Sequence, residues 1–191
     1  MGSRLHIGCG RTILPGWINL DFVQGPGVDV VANLDACAST PLPIESDSVD
    51  EIRGSHVLEH LHHPLPLMQE LHRVARVGCK AVFETPYGSS DDAFEDPTHV
   101  RQYFLNSYGY FAQPTYWRAD YGYRGDWQAE MIVLAVAKAR YEKSEPKQVL
   151  ADAMSLRNVV LEMSAQLLAI KPVREPKREL MLVPKIQIRL V

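Results

Sequence analysis

Three short stretches hold most of the residues able to do chemistry: "IGCGRTILPGWINLD" (7–21), "SHVLEHLHHP" (55–64) and "EDPTHVR" (95–101). In the first, Gly8, Cys9 and Gly10 form a turn motif after an apolar run, and a carboxylate, Asp21, follows eleven residues after Gly10. A second acid, Asp35, closes "VDVVANLD", with Ala36 next to it. The histidine-rich stretch offers Ser55 and His56, with His60 four residues further on and His62 and His63 close behind. Paired imidazoles at that spacing suit a metal if they share a helical face. Structural or cleft-lining roles are the preferred reading, and no metal is expected. The third stretch brings Asp96, His99 and Arg101 together, with Tyr103 just beyond.

Positioning these groups takes strands. Residues 5–7, 17–21, 49–55 and 79–86 read as strands, with 28–35 as a third strand or extended turn. Leu67, Leu71 and Val74 recur at helical spacing, and Gly78 reads as the C-cap of that helix. The alternation of strand and helix predicts a parallel α/β sheet. Residues 87–104 read as a polar loop that turns helical near 98, followed by an aromatic run over 103–127. Residues 127–138 and 184–191 are expected to close the sheet as an antiparallel pair. Between them, 146–170 carries apolar residues near period 3.6 and is expected to be a helix. Together these give one domain over 1–191, with 142–178 as a helical insertion acting as a lid or dimer element.

The bulk numbers narrow the function. A formal charge of −3 and a pI of about 6.2 give no reason to expect nucleic acid as a partner. No stretch approaches the roughly 18 apolar residues of a membrane span, so no stable membrane insertion is expected. Cys9, Cys37 and Cys79 are odd in number and widely spaced, which argues against a disulfide framework and for a reducing, cytoplasmic setting. No secretory leader is read at the N-terminus.

The spacing between glycines and acid then selects a cofactor class. A dinucleotide site needs a helix aimed at the pyrophosphate and an acid about 20 residues beyond the glycines. Here only residues 11–16 lie between the glycine turn and the next strand, roughly 9 Å of helix at most, and they include Pro15 and Gly16. A cofactor with a ribose and an amino-acid tail but no phosphate fits better, and S-adenosylmethionine is such a molecule. Its carboxylate would meet backbone N–H groups at the turn, its ribose an acid at a strand end, and its adenine a second acid.

With "LHIGCG", "INLD", "NLDACASTPLPIESDSVDEI", "SHVLEHL" and "LHRVARVGCKAVFETP" in that order, residues 5–104 resemble the class I S-adenosylmethionine-dependent methyltransferases, in particular the methyltransferase type-11-like group. The resemblance implies a Rossmann-like, mostly parallel sheet with an antiparallel edge strand, shortened at the N-terminus and with a helical insertion before the last strand. It implies cofactor contacts from Gly8, Cys9, Gly10, Asp21, Phe22, Asp35, Ala36, Ser55 and His56. Similar methyltransferases carry a like "DPTHVR" element after the fifth strand, so Asp96, His99, Arg101 and Tyr103 are expected on the acceptor side. His99 either serves as the base for a hydroxyl acceptor or bonds to a helix cap formed by Asp96-Pro97-Thr98. Arg101 either steers an anionic substrate or pairs with Asp96. The aromatic run is either an acceptor pocket or core and lid packing. The expected activity is methyl transfer to a small-molecule, sugar or lipid-linked acceptor, as O-methylation, with a homodimer formed through 146–170. The alternative is an inactive methyltransferase-fold scaffold. Thr12, where most members carry a further glycine, and the short link to Asp21 depart from the group's pattern.

Overall fold

The computed structural model describes residues 2–191. Eight strands form one sheet: β1 (Ser3–Ile7), β2 (Ile18–Asp21), β3 (Val30–Val31), β4 (Val49–Ser55), β5 (Ala75–Pro86), β6 (Trp127–Val136), β7 (Val160–Ala169) and β8 (Lys185–Leu190). Their order is β3-β2-β1-β4-β5-β7-β6-β8. The first five run parallel, β7 runs antiparallel between β5 and β6, and β8 lies parallel to β6 at the edge. This is the expected Rossmann-like sheet. Helices are α1 (Pro64–Val74), α2 (Asp92–Glu95), α3 (Lys138–Tyr141) and α4 (Pro146–Ser155). None is long and apolar enough to cross a membrane.

The core lies against one face of the sheet. Leu5, Ile7, Ile52, Ala81, Phe83, Ala165, Leu167 and Ile132 are buried there, as period-2 alternation requires. α1 starts on Pro64, whose missing N–H costs nothing at a first turn, and buries Leu67, Met68, Leu71 and Val74. Trp127 is fully buried and donates its indole N–H to the Met68 carbonyl at 2.9 Å, which locks β6 to α1. Arg4, Arg53 and Lys80 on the same three inner strands are exposed, with Trp17 between the guanidiniums of Arg4 and Arg53 at 5.2 and 5.5 Å. The second face is therefore polar, unlike the fully covered parallel sheets of most α/β proteins.

Four expectations are corrected here. The helix over 146–170 stops at Ser155, and 160–169 is the strand β7; Met163, Ala165, Leu167 and Ala169 alternate inward, a period-2 signal that coexists with the helical one in a Leu-rich segment. The dimer helix proposed for this segment is thus half an interior strand. The antiparallel partner of β6 is β7, while 184–191 pairs with β6 in parallel. Gly78 does not cap α1, which runs straight into β5 through an extended Ala75; Gly78 sits at φ +74° inside β5, beside a register irregularity in the β4–β5 pairing. No helix forms near 98: Asp96 Oδ1 accepts from the Thr98 N–H at 2.7 Å as a local turn.

Asp126, fully buried, has no counterpart in the sequence-based expectations. It accepts from Arg174 Nε, Nη2 and backbone N at 2.7–3.0 Å and from the Gln113 N–H at 3.1 Å. It ties the chain after β7 to the start of β6. Asp126→Ala is expected to cost about 3–5 kcal/mol, by leaving Arg174 unpaired, and to lower Tm by roughly 6–20 °C. Thermal unfolding of the variant beside an Asp126→Leu/Arg174→Met double variant, expected to lose less, checks this.

Candidate functional site

The strand order reverses between β1 and β4, and in open α/β sheets the crevice at such a point, at the carboxyl ends of the strands, is where ligands bind. The register sets Ile7 opposite both Leu20 and Gly54, so Gly8, Asp21 and Ser55 converge at one edge. Gly8 and Gly10 take positive φ (+59° and +51°), a conformation that suits glycine. They differ in surroundings. A Cβ on Gly8 would lie 2.6 Å from Val57 Cγ2, whereas one on Gly10 would meet nothing within 4 Å. No helix forms between β1 and β2, as the short spacing predicts.

The turn is pinned by the acid. Asp21 Oδ2 accepts from the Gly10 N–H at 2.7 Å and Oδ1 from the Val23 N–H at 3.0 Å. Phe22 and Val23 beside it are 68% and 65% exposed, an apolar pair turned outward next to a carboxylate. Within the turn, the Cys9 N–H goes to Leu20 O and the Thr12 N–H to Cys9 O. Cys9 is buried, and burial with the nearby Asp21 charge pushes its thiol above the ordinary range, so it is no nucleophile.

Asp35 lies on the far side of β2, in the short turn after β3, and is already engaged. Its Oδ1 accepts from the His63 N–H at 2.8 Å, and Oδ2 lies 3.4 Å from His62 Nδ1. Burial pushes its carboxyl up, but the donations from His63 and His62 outweigh this and hold it below the usual range. Ala36 donates its N–H to Asn33 O.

The segment after β4 is not a regular helix. His56 sits at φ +50° and a single 3₁₀ turn spans Leu58–His60, so His56 and His60 do not share a helical face as i,i+4 spacing would suggest. His56 lies between two carboxylates, with Nδ1 3.3 Å from Glu59 Oε1 and Nε2 3.4 Å from Glu162 Oε2. Glu59 foremost, against desolvation, pushes its pKa up to about 9, leaving it cationic at neutral pH. Glu59 itself is buried, a feature the sequence-based reading passed over because an acid in "LEH" looks like a solvated one. Its backbone carbonyl accepts from the Val100 and Arg101 N–H groups at 2.9 and 3.1 Å, which staples the loop after β5 onto the loop after β4.

That staple decides the acceptor-side residues. His99 has a side chain 6% exposed, with Nε2 3.8 Å from Asp96 Oδ2. Arg101 does not pair with Asp96: its Nε and Nη2 donate to the carbonyls of Leu61 and His62 at 3.1 and 2.6 Å. Tyr103 is buried, its hydroxyl 3.4 Å from Leu58 O. Arg101, Tyr103, Tyr110, Tyr116 and Tyr121 line a cleft of about 610 Å³. Within the aromatic run, Tyr103, Tyr108, Phe111, Tyr116, Tyr123 and Trp127 are core while Tyr110 and Tyr121 are exposed, so part of that stretch is core packing and part faces outward.

No family model and no curated protein matches the chain. Solved structures do. A SAM-dependent methyltransferase from Archaeoglobus fulgidus superposes with a TM-score of 0.59 at 15% identity, over 88% of this chain and 86% of the other. The YcgJ protein from Bacillus subtilis gives 0.54 at 13% identity, over 89% and 92%. A SAM-dependent methyltransferase from Aquifex aeolicus gives 0.52 at 15% identity, over 88% and 82%. At these identities the likeness is one of fold, and the fold is that of the class I methyltransferases.

Two predictions follow from this geometry. Gly8→Ala is expected to lose about 2–5 kcal/mol from the Val57 clash plus left-handed strain, whereas Gly10→Ala carries only the strain, about 1–2 kcal/mol; urea unfolding compares them. For Asp35 the folded pKa is depressed, so its contribution is present above the unfolded value of about 3.9 and is lost as pH falls through the folded one. Asp35→Asn is therefore expected to cost about 1–3 kcal/mol at pH 7 and to converge on the wild type in denaturant titrations as pH falls through the folded value.

Proposed function

We propose that the protein is an S-adenosylmethionine-dependent methyltransferase of the type-11-like group acting on a hydroxyl of a small-molecule, sugar or lipid-linked acceptor. The observation that carries this reading is the glycine turn at the β1–β4 switch point, pinned by Asp21 and open at Gly10, where a side chain would meet nothing. A bound ribose fits against Asp21, whose carboxylate would take hydroxyl donors alongside the Gly10 N–H. Adenine fits against the outward ring of Phe22. The turn's N–H groups at Cys9 and Gly10 are spent internally, so the amino-acid carboxylate falls to the exposed Arg11. Asp35, engaged by His62 and His63, supports the β4–α1 loop in this reading and reaches adenine only if that loop opens.

When bound, S-adenosylmethionine supplies a methyl group on a sulfonium, which is already a good leaving group. The chain's own contribution is chiefly position. The aromatic cleft has the size of a small-molecule site, and Tyr110 and Tyr121 offer flat apolar surface to a sugar ring or lipid-linked acceptor. His56, held cationic between Glu59 and Glu162, is unsuited to take a proton at neutral pH. Proton removal from an acceptor hydroxyl therefore belongs to the buried group around His99.

Calorimetric titration with S-adenosylmethionine and its demethylated product tests the reading. Micromolar binding of both is expected, with Asp21→Ala weakening each roughly 10- to 100-fold through the lost charged hydrogen bonds, and with no binding of NAD. Failure of the folded wild type to bind either ligand sinks it, and binding without consumption across hydroxyl acceptors leaves the scaffold alternative.

A further inference from the structure

Glu59 is 2% exposed, and neither of its carboxylate oxygens accepts a hydrogen bond. Cationic His56, shared with Glu162, gives it one opposite charge but no hydrogen-bond donor, and a buried carboxylate without donors is costly. His56 Nδ1 comes within 3.3 Å of Oε1, but not in line for a hydrogen bond. On the other side stand the rings of His60 and His99, edge to face with centroids 4.8 Å apart. His99 is equally unfinished: its side chain is 6% exposed and its Nδ1 has no partner.

One ligand atom each from Glu59, His60 and His99 lies within 4.8 Å of the other two. Tetrahedral ligands about 2.1 Å from an ion stand roughly 3.4 Å apart, so small side-chain adjustments would close the cluster around one ion. The outer sides of both rings face one carboxylate. His60 Nδ1 is 2.9 Å from Thr98 Oγ1, whose hydroxyl donates to Asp96 Oδ1 at 2.6 Å. Asp96 Oδ2 in turn lies 3.8 Å from His99 Nε2. One carboxylate thus faces both imidazoles, through the Thr98 hydroxyl for His60 and at ion-pair rather than hydrogen-bond distance for His99, as outer partners of histidine ligands do, and leaves His60 Nε2 and His99 Nδ1 for an inner partner.

We propose that Glu59, His60 and His99 bind a divalent transition metal of the zinc class, with Asp96 as the shared outer partner of both rings. Two imidazoles and one carboxylate suit such an ion better than magnesium or calcium, which prefer all-oxygen sets. Three protein donors leave a tetrahedral ion one open position. His62 takes no part, since its Nδ1 faces Asp35. The site rests on these contacts alone and goes beyond the methyltransferase reading; a bound ion takes His99 Nδ1 and so removes His99 as the base named there.

The test is titration of metal-free protein with zinc chloride by calorimetry, and with cobalt(II) chloride by visible absorption. One equivalent of zinc is expected, with a cobalt spectrum of four- or five-coordinate type. Glu59→Gln and His60→Asn are each expected to weaken zinc roughly 100-fold or more, Asp96→Asn about 10- to 100-fold, and His63→Asn not at all. Circular dichroism checks that each variant is folded; His60, only partly buried, supplies the decisive variant if Glu59→Gln is not. Absence of stoichiometric zinc binding by the folded wild type overturns the site, as does unchanged affinity in His60→Asn. Stoichiometric zinc binding by a protein that takes up no S-adenosylmethionine supports the site while removing the methyltransferase reading.

Discussion

Val57 fills the space that two glycines leave empty. A Cβ on Gly8 would lie 2.6 Å from its Cγ2, and one on Gly54 2.9 Å from its Cγ1. Neither β1 nor β4 could carry a side chain there without lifting the β4 loop away from the sheet. Because Val57 is seated, His56 must turn through a positive φ to reach it, and the His56 N–H still bonds to Glu84 O at 2.9 Å. Leu58 and Glu59 then follow inward. The glycine turn, the cationic His56 and the buried Glu59 are thus placed by one packing contact rather than by three separate local preferences.

The loop after β5 inherits that placement. It has almost no regular structure of its own, with α2 a single turn. Its order comes from the two N–H groups it gives to Glu59 O and from Arg101, which spans the carbonyls of Leu61 and His62. An arginine spent on backbone carbonyls is a clamp, and its charge offsets the acids that crowd this edge. Those acids are each handled differently. Asp21 takes two backbone N–H groups, Asp35 takes one and faces His62, and Glu162 shares His56 with Glu59. Glu59 alone is left short of donors, which is what sets it apart from an ordinary structural acid.

Much of the front half was legible in the sequence because its signals are local. Alternation and glycine punctuation located β1, β2, β4 and the core of β5, and the eleven-residue gap from Gly10 to Asp21 predicted the absence of a helix between them. The back half was not legible for equally physical reasons. Leu161, Leu167 and Leu168 fit a helical period as well as a strand, and only insertion between β5 and β6 decides for β7. Gly78 looks like a helix cap, yet the same positive φ serves an irregular point in a strand. In the site, types and spacing nominated Asp21, His56 and His99 but not Glu59 or Asp126, since burial of an acid depends on chain segments far away: the loop after β5 for Glu59, and Arg174 for Asp126.

The length of the β1–β2 connection constrains the chemistry more than any single side chain. Ten residues without a helix leave no aligned peptide dipoles and no first-turn N–H groups directed at the crevice, so a pyrophosphate brought there would meet an acid-rich edge with little to balance it. Asp21 makes this sharper, since its carboxylate lies 2.7 Å from the Gly10 nitrogen, where phosphate oxygens would need to come. A ligand that offers hydroxyls to that carboxylate gains from it, and one that offers phosphate is repelled. Cationic His56 lies further along, on the β4 side, between two acids that largely neutralise it. The edge as built therefore opposes an anionic group set against Asp21, and under the proposed methyltransferase reading a sulfonium escapes that repulsion where a pyrophosphate does not.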